Sequence, residues 1–169
     1  MEKFISKSGL QTRNFAKKIA EDILRTKKST QALVLGLVGD LGAGKTTFVQ
    51  SFAKALGVHG RVLSPTFLIM KRHELENQNK DGGLIFGHPM TMGHRMSGSK
   101  QRFLYHIDAY RLNNSQELLD LGWEKIISDS QNVMVVEWAD KIKDLMPKNT
   151  LWINFEHGED QKTRSLHVL

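Results

Sequence analysis

Apolar residues recur every fourth position at Phe15, Ile19 and Ile23, and Ser8 and Gln11 stand at capping-box spacing. Residues 8–25 are therefore expected to form an amphipathic helix. The pattern changes at Ala32 to Val38, where ALVLGLV is almost wholly apolar. Such a run marks a strand buried on both faces, as in a parallel sheet covered by helices. A glycine-rich turn follows, and then a second helix is predicted from about Lys45 to Leu56. Phe48, Val49, Phe52 and Leu56 form its stripe, and Gly57 is its stop.

Downstream, Thr66 to Met70, Phe103 to Ile107 and Val133 to Val136 read as strands. Asn114 and Glu117 repeat the capping-box spacing ahead of a short helix through Leu119, with Gly122 at its end. Leu151, Ile153 and Phe155 alternate with Trp152 and Asn154, so that strand is expected to have one wetter face. Residues 163–169 are expected to add an edge strand. Residues 76–100 carry five glycines, three methionines and one proline without a period. They read as a flexible, exposed insertion. There is no internal repeat and no second linker, so residues 1–169 are expected to form one α/β domain.

Composition narrows the classes. With 169 residues, 40% hydrophobic and 25% charged, the chain suits one soluble globular domain. No apolar run approaches the roughly 20 residues of a membrane span, and no secretory signal is read at the N-terminus. Cysteine is absent, which excludes disulfides, thiolate catalysis and cysteine-ligated zinc. These readings lead to the expectation of a cytoplasmic protein with no membrane partner. The net charge of +6 is uneven: residues 1–30 hold 8 basic and 3 acidic side chains, and residues 103–169 hold 7 basic and 11 acidic. A basic first part suits a phosphate-rich or acidic partner, although solvated lysines give the same pattern.

The chemistry concentrates at Gly39-Asp40-Leu41-Gly42-Ala43-Gly44-Lys45-Thr46, which fits G-x-x-x-x-G-K-[ST] at every fixed position. Glycines permit the backbone angles and close approach that a phosphate cradle needs. The amides from Asp40 to Thr47 converge on an anion, and the helix N-terminus adds its dipole. Lys45 supplies a point charge to the β- and γ-phosphates, and the Thr46 hydroxyl is a hard oxygen ligand suited to Mg2+. The flanking buried strand and amphipathic helix are the required context for this motif.

In parallel α/β sheets, ligands bind at the carboxyl ends of strands. Asp108 ends FLYHID and Glu137 ends VMVVE. Asp108 is the candidate magnesium residue, directly or through water. Glu137 is a candidate to complete the ion's shell or to orient the attacking water. Either one could instead cap a turn or pair with a base such as Arg111. Ser64-Pro65-Thr66-Phe67 stands where many P-loop hydrolases keep a loop that senses the γ-phosphate through a hydroxyl, so Thr66, or Ser64, is a candidate switch. A proline turn entering a strand is the plainer reading.

GDLGAGKTT at 39–47, SPTF at 64–67, HIDAYRL at 106–112, ELLDLGW at 117–123 and VEWADKI at 136–142 occur in this order. Together they resemble the TsaE family, bacterial P-loop ATPases of tRNA threonylcarbamoyladenosine biosynthesis, over roughly residues 8–157 apart from 76–100. The resemblance implies a single-domain P-loop NTPase fold with a mostly parallel mixed sheet, flanking helices and antiparallel edge strands. It implies ATP and Mg2+ as cofactors and TsaD and TsaB as partners. TsaD would modify adenosine 37 of tRNAs reading ANN codons, with tRNA met indirectly through the complex. Lys45 then matches the family's phosphate lysine, Thr46, Asp108 and Glu137 its metal and catalytic positions, and Thr66 its switch-like threonine. Trp138 matches the tryptophan beside the glutamate, a lid or partner contact, and Thr12 falls near a position that approaches the adenine. The family usually has a much shorter connection at 76–100.

Two rival activities stay open at this point. A small-molecule kinase would share the loop and could use Lys100 and Arg102 as a basic lid. A nucleotide-dependent interaction module would not need hydrolysis. Residues 1–30 are also a minor candidate for direct tRNA contact. His73, His88 and His94 with the nearby methionines could in principle hold a soft metal, against which stand their irregular spacing and glycine-rich setting. No N/T-K-x-D guanine-reading motif is present, which favours ATP.

Overall fold

The computed structural model describes residues 2–25, 30–75, 103–158, 160 and 163–169. In chain order the strands are β1 (Glu2–Ser6), β2 (Leu33–Gly39), β3 (Met70–Glu74), β4 (Phe103–Asp108), β5 (Asn132–Glu137), β6 (Leu151–His157) and β7 (Arg164–Val168). The helices are α1 (Gly9–Arg25), α2 (Lys45–Ala55), α3 (Gln116–Asp120) and α4 (Trp123–Ser128), with short 3-10 turns at Ala109–Arg111 and Ala139–Leu145.

One seven-stranded sheet has the order β1-β7-β6-β2-β5-β4-β3. β6, β2, β5 and β4 run parallel to one another, β7 and β3 pair antiparallel with β6 and β4, and β1 pairs antiparallel with β7. This is the expected α/β class with a parallel centre and antiparallel margins.

The period of two along each strand divides the core between two faces. Leu35, Leu37, Val133, Val135, Leu104, Ile153 and Phe155 pack with Phe15, Ile19, Phe48 and Phe52 of α1 and α2. Val34, Met134, Val136 and Ile107 point the other way, toward Leu118, Trp123, Ala139 and Ile142. All six residues of β5 are buried, as a strand covered on both sides requires. Phe48 lies at the centre of an aromatic group, 5.8 Å from Phe52, 5.7 Å from Phe155 and 6.2 Å from Phe15 between ring centroids.

Both capping pairs form, each shifted by one residue on the return bond. The Gln11 amide donates to Ser8 Oγ at 3.3 Å, and Gln11 Oε1 accepts from the Lys7 amide at 2.7 Å. Likewise the Glu117 amide donates to Asn114 Oδ1 at 3.3 Å, and Glu117 Oε1 accepts from the Asn113 amide at 3.0 Å. Gly57 and Gly122 take positive φ at helix ends, as expected of stops.

Two expectations need correction, and a third is met and extended. The strand placed at Thr66–Met70 begins only at Met70, because Thr66 to Leu68 form a turn and Ile69 takes φ 63°. Residues 163–169 do give a strand, but β7 lies one position in from the margin, since β1 covers it. Gly122 ends α3 and also precedes a further helix, α4. The insertion at 76–100, with His88, His94 and Lys100, lies outside the described residues, as does Arg102. No helix among the described residues is long and apolar enough to cross a membrane.

Replacing Phe48 with alanine removes a side chain that is 0% exposed. The expected cost is about 3–5 kcal/mol, read from urea unfolding as a lower midpoint at an unchanged m-value.

Candidate functional site

The loop from Gly39 to Thr46 joins the carboxyl end of β2 to the start of α2. Gly39, Gly42 and Gly44 have φ of 136°, 78° and 101°. A Cβ on Gly39 would stand 2.2 Å from the Phe155 carbonyl oxygen, so this position demands glycine twice over, for angle and for space. Leu41 at the loop tip is 76% exposed, whereas Ala43 is buried. The Lys45 ammonium donates to the carbonyls of Gly39 at 2.6 Å and Asp40 at 2.9 Å, and stands 3.8 Å from the Trp138 ring centroid. Burial pulls its pKa below the usual 10.5, while Glu137, Asp108, Asp140 and Asp40, in that order, pull it back up.

The parallel register delivers the acids. Glu137 is opposite Leu37 on β2 and opposite Asp108 on β4, so both carboxylates leave the sheet at the edge that carries the loop. Glu137 Oε2 accepts from the Thr46 hydroxyl at 2.8 Å, and its Oε1 lies 2.8 Å from His106 Nε2. Asp108 Oδ2 accepts from the hydroxyls of Ser64 at 2.6 Å and Thr66 at 2.5 Å, and Oδ1 accepts from the Tyr110 amide at 3.0 Å. Asp108 thus does cap its own turn, and it also tethers the 64–66 segment.

Trp138 takes φ 59°, ψ 40° directly after Glu137. A left-handed conformation costs a non-glycine residue about 1–3 kcal/mol and is found where the fold over-determines it. Here the indole is held between the Lys45 ammonium and Tyr110, whose ring centroid is 5.1 Å away. Arg111 stacks its guanidinium 4.3 Å from the centroid of Phe67 and so anchors its own surroundings.

On the other side of the loop, a groove of about 330 Å³ is lined by Ser8, Gly9, Thr12, Gly42, Gly44, Thr47 and Arg164. Thr12 is therefore beside the loop, with its hydroxyl 2.8 Å from Ser6 Oγ. Sequence reasoning did not find Arg164, which donates to the Gly42 carbonyl at 3.2 Å, or His157, whose Nε2 is 3.3 Å from the Leu41 carbonyl. They arrive from the β6–β7 pair, more than a hundred positions downstream, and no local spacing signals them. His106 was also missed as a partner of Glu137. The signal was present, because it stands two residues before Asp108 on a strand and therefore shares its face.

The residues fit a nucleotide polyphosphate with a hard cation. Lys45 and the N-terminus of α2 would suit an anion, and the Thr46 hydroxyl and two carboxylates are all oxygen donors. Among the described residues no three His, Asp or Glu side chains gather tightly enough to hold a metal.

The sequence matches the family described as "Threonylcarbamoyl adenosine biosynthesis protein TsaE" over residues 6–86 and 90–166. This chain belongs to the TsaE family. It is 38% identical to tRNA threonylcarbamoyladenosine biosynthesis protein TsaE of Bacillus subtilis, over 76% of this chain and 65% of that protein. It is 26% identical to the protein of the same name from Haemophilus influenzae, over 90% of this chain and 80% of its relative. The fold is similar to the crystal structure of Bacillus subtilis YdiB, with a TM-score of 0.65 and 29% identity over 99% of this chain and 83% of that one.

Asp108→Ala leaves the Ser64 and Thr66 hydroxyls and the Tyr110 amide without their acceptor. It is expected to lower stability by about 2–4 kcal/mol, at roughly 1–3 kcal/mol for each bond to a charged acceptor, offset in part by water. Amide hydrogen exchange over residues 64–69 should accelerate in the same variant.

Proposed function

We propose that this chain is an ATPase that hydrolyses ATP to ADP and phosphate with Mg2+, slowly by itself and faster when its partners bind. The observation that carries the reading is the contact of Thr46 Oγ1 with Glu137 Oε2, 2.8 Å, at the mouth of a glycine-rich loop. The hydroxyl read as the magnesium ligand is thus bonded to an acid from a neighbouring strand tip. The loop amides and Lys45 bind the β- and γ-phosphates. Thr46, Glu137 Oε2 and Asp108 would hold the cation, which when bound would neutralise developing charge on the phosphates. Glu137 also stands where it can orient the attacking water, and Thr66 reports the γ-phosphate through its hold on Asp108. Thr12 borders the groove that takes the base and sugar, and Trp138 closes over Lys45.

Slow turnover is expected from the arginines among the described residues. Rapid phosphoryl transfer usually needs an arginine on the transferring group, worth about 10³–10⁵ in rate. Arg111 is stacked on Phe67, and Arg164 stands on the groove side of the loop, bonded to Gly42. A partner is therefore expected to complete the site. The names of the Bacillus subtilis and Haemophilus influenzae relatives support a role in tRNA threonylcarbamoyladenosine biosynthesis. On this reading the chain acts in the cytoplasm on a TsaD–TsaB complex that modifies adenosine 37 of tRNAs reading ANN codons. It meets tRNA through that complex, and residues 1–169 form one domain.

Phosphate release from ATP alone, with no acceptor added, is expected to be slow for the chain and faster with TsaD, TsaB and tRNA. Glu137→Gln should keep ATP affinity and lose about 10²-fold or more in turnover, the scale of a lost positioning or acid–base group. ADP formed only with an added small-molecule acceptor, with the phosphoryl group carried on that acceptor and no free phosphate, would assign a kinase instead. Full pathway output from Glu137→Gln would assign a binding module that needs no hydrolysis.

A further inference from the structure

One buried group beside the site has no part in the chemistry above. His106 is 0% exposed, stands in register with Val135 of β5 and Lys71 of β3, and places Nε2 2.8 Å from Glu137 Oε1. An ionised carboxylate only accepts, so the ring must donate, and the proton belongs on Nε2. Nδ1 is buried with no hydrogen-bond partner among the described residues. Two oxygens of one carboxylate thus have two separate tasks: Oε1 is held from beneath by an imidazole, and Oε2 faces the Thr46 hydroxyl.

We propose that His106 is the positioning residue of Glu137: its Nε2–H fixes one carboxylate oxygen so that the other alone is presented to the loop. The proposal rests on the ATPase reading and deepens it. The carboxylate torsion of glutamate is broad and roughly two-fold, so it does not fix itself. Lys45 is a competing attraction, since Glu137 acts more strongly on its ammonium than Asp108, Asp140 or Asp40 does. Without the imidazole the carboxylate turns toward Lys45 and loses its single-oxygen presentation. Nucleotide binding through the loop amides does not pass through His106, so the effect falls on turnover.

The test begins without nucleotide. Nitrogen-15 spectra of the histidine rings of the full chain should assign His106 as the Nε2–H tautomer with a slowly exchanging proton. An Nδ1–H tautomer would overturn the proposal before any assay. Phosphate release with TsaD, TsaB and tRNA, and ADP affinity, are then measured for wild type, His106→Leu, His106→Gln, Glu137→Gln and the His106→Leu/Glu137→Gln pair. The expected result for His106→Leu is a turnover loss of roughly 10–100-fold, the range for partners that orient a ligand, with ADP affinity at the wild-type level. His106→Gln, whose Nε2 amide keeps a donor, should recover most of the rate. In the Glu137→Gln background His106→Leu should add no further loss. Wild-type turnover in His106→Leu while Glu137→Gln is inactive would refute the inference alone. Equal losses in turnover and ADP affinity for both His106 variants would mark a merely structural histidine. Wild-type turnover in Glu137→Gln would refute the inference and leave the ATPase reading standing, whereas no phosphate release from wild type with TsaD, TsaB and tRNA would remove that reading and this inference with it, and the tautomer would still report whether the contact exists.

Discussion

The site depends on parallel strand pairing. β2, β5 and β4 run in one direction, with Asp108 level with Glu137 and Gly39 two residues beyond on β2, so the residues that follow their apolar runs meet at one edge. Gly39 starts the loop from β2, Glu137 closes β5, and Asp108 closes β4. An antiparallel neighbour would have turned one of these acids to the opposite edge of the sheet. Core packing enforces the register: a one-residue slip would exchange Val133 and Val135 with Met134 and Val136 between the two faces. The same alternation that fills the core therefore sets the distance between the acids and the loop.

Charge is concentrated where water is scarce. Lys45, Asp108 and Glu137 are all at most 5% exposed, and the lysine is bonded to carbonyls of its own loop. Each buried carboxylate is matched by donors: Asp108 by two hydroxyls and an amide, Glu137 by a hydroxyl and an imidazole. Unmatched, such groups would each cost several kcal/mol and the pocket would not hold its shape. Preorganised donors and acceptors of this kind can act on phosphoryl transfer, because the protein's share of that chemistry is positioning and charge.

The sequence was most legible where periodicity was strong or a motif fixed several positions together. α1, α2 and the parallel strands follow from stripes and apolar runs that tertiary packing then used unchanged. Both capping pairs were readable because they span only three residues. β1 was not readable: EKFIS is short and half polar, and its partner β7 lies at the other end of the chain. The segment after Pro65 misled because Phe67 and Leu68 are apolar yet 83% and 69% exposed in a turn. The strand that follows, MKRHE, is polar enough to look like loop, as a marginal strand often does. Within the site, the loop and the two strand-end acids were legible from their places after apolar runs. Arg164 and His157 were not, since only the fold brings the β6–β7 pair to the loop.

The central claim is a cradle of main-chain amides on a polyphosphate, with a cation between a hydroxyl and acids from two strand tips. A crystal structure of the chain with Mg2+ and a non-hydrolysable ATP analogue tests it most directly. The account predicts the β-phosphate inside the 39–46 loop, Lys45 Nζ moved from the Gly39 and Asp40 carbonyls onto phosphate oxygens, and the cation bound by Thr46 Oγ1 within reach of Glu137 and Asp108. A nucleotide seated elsewhere, or a cation away from these three side chains, would contradict it.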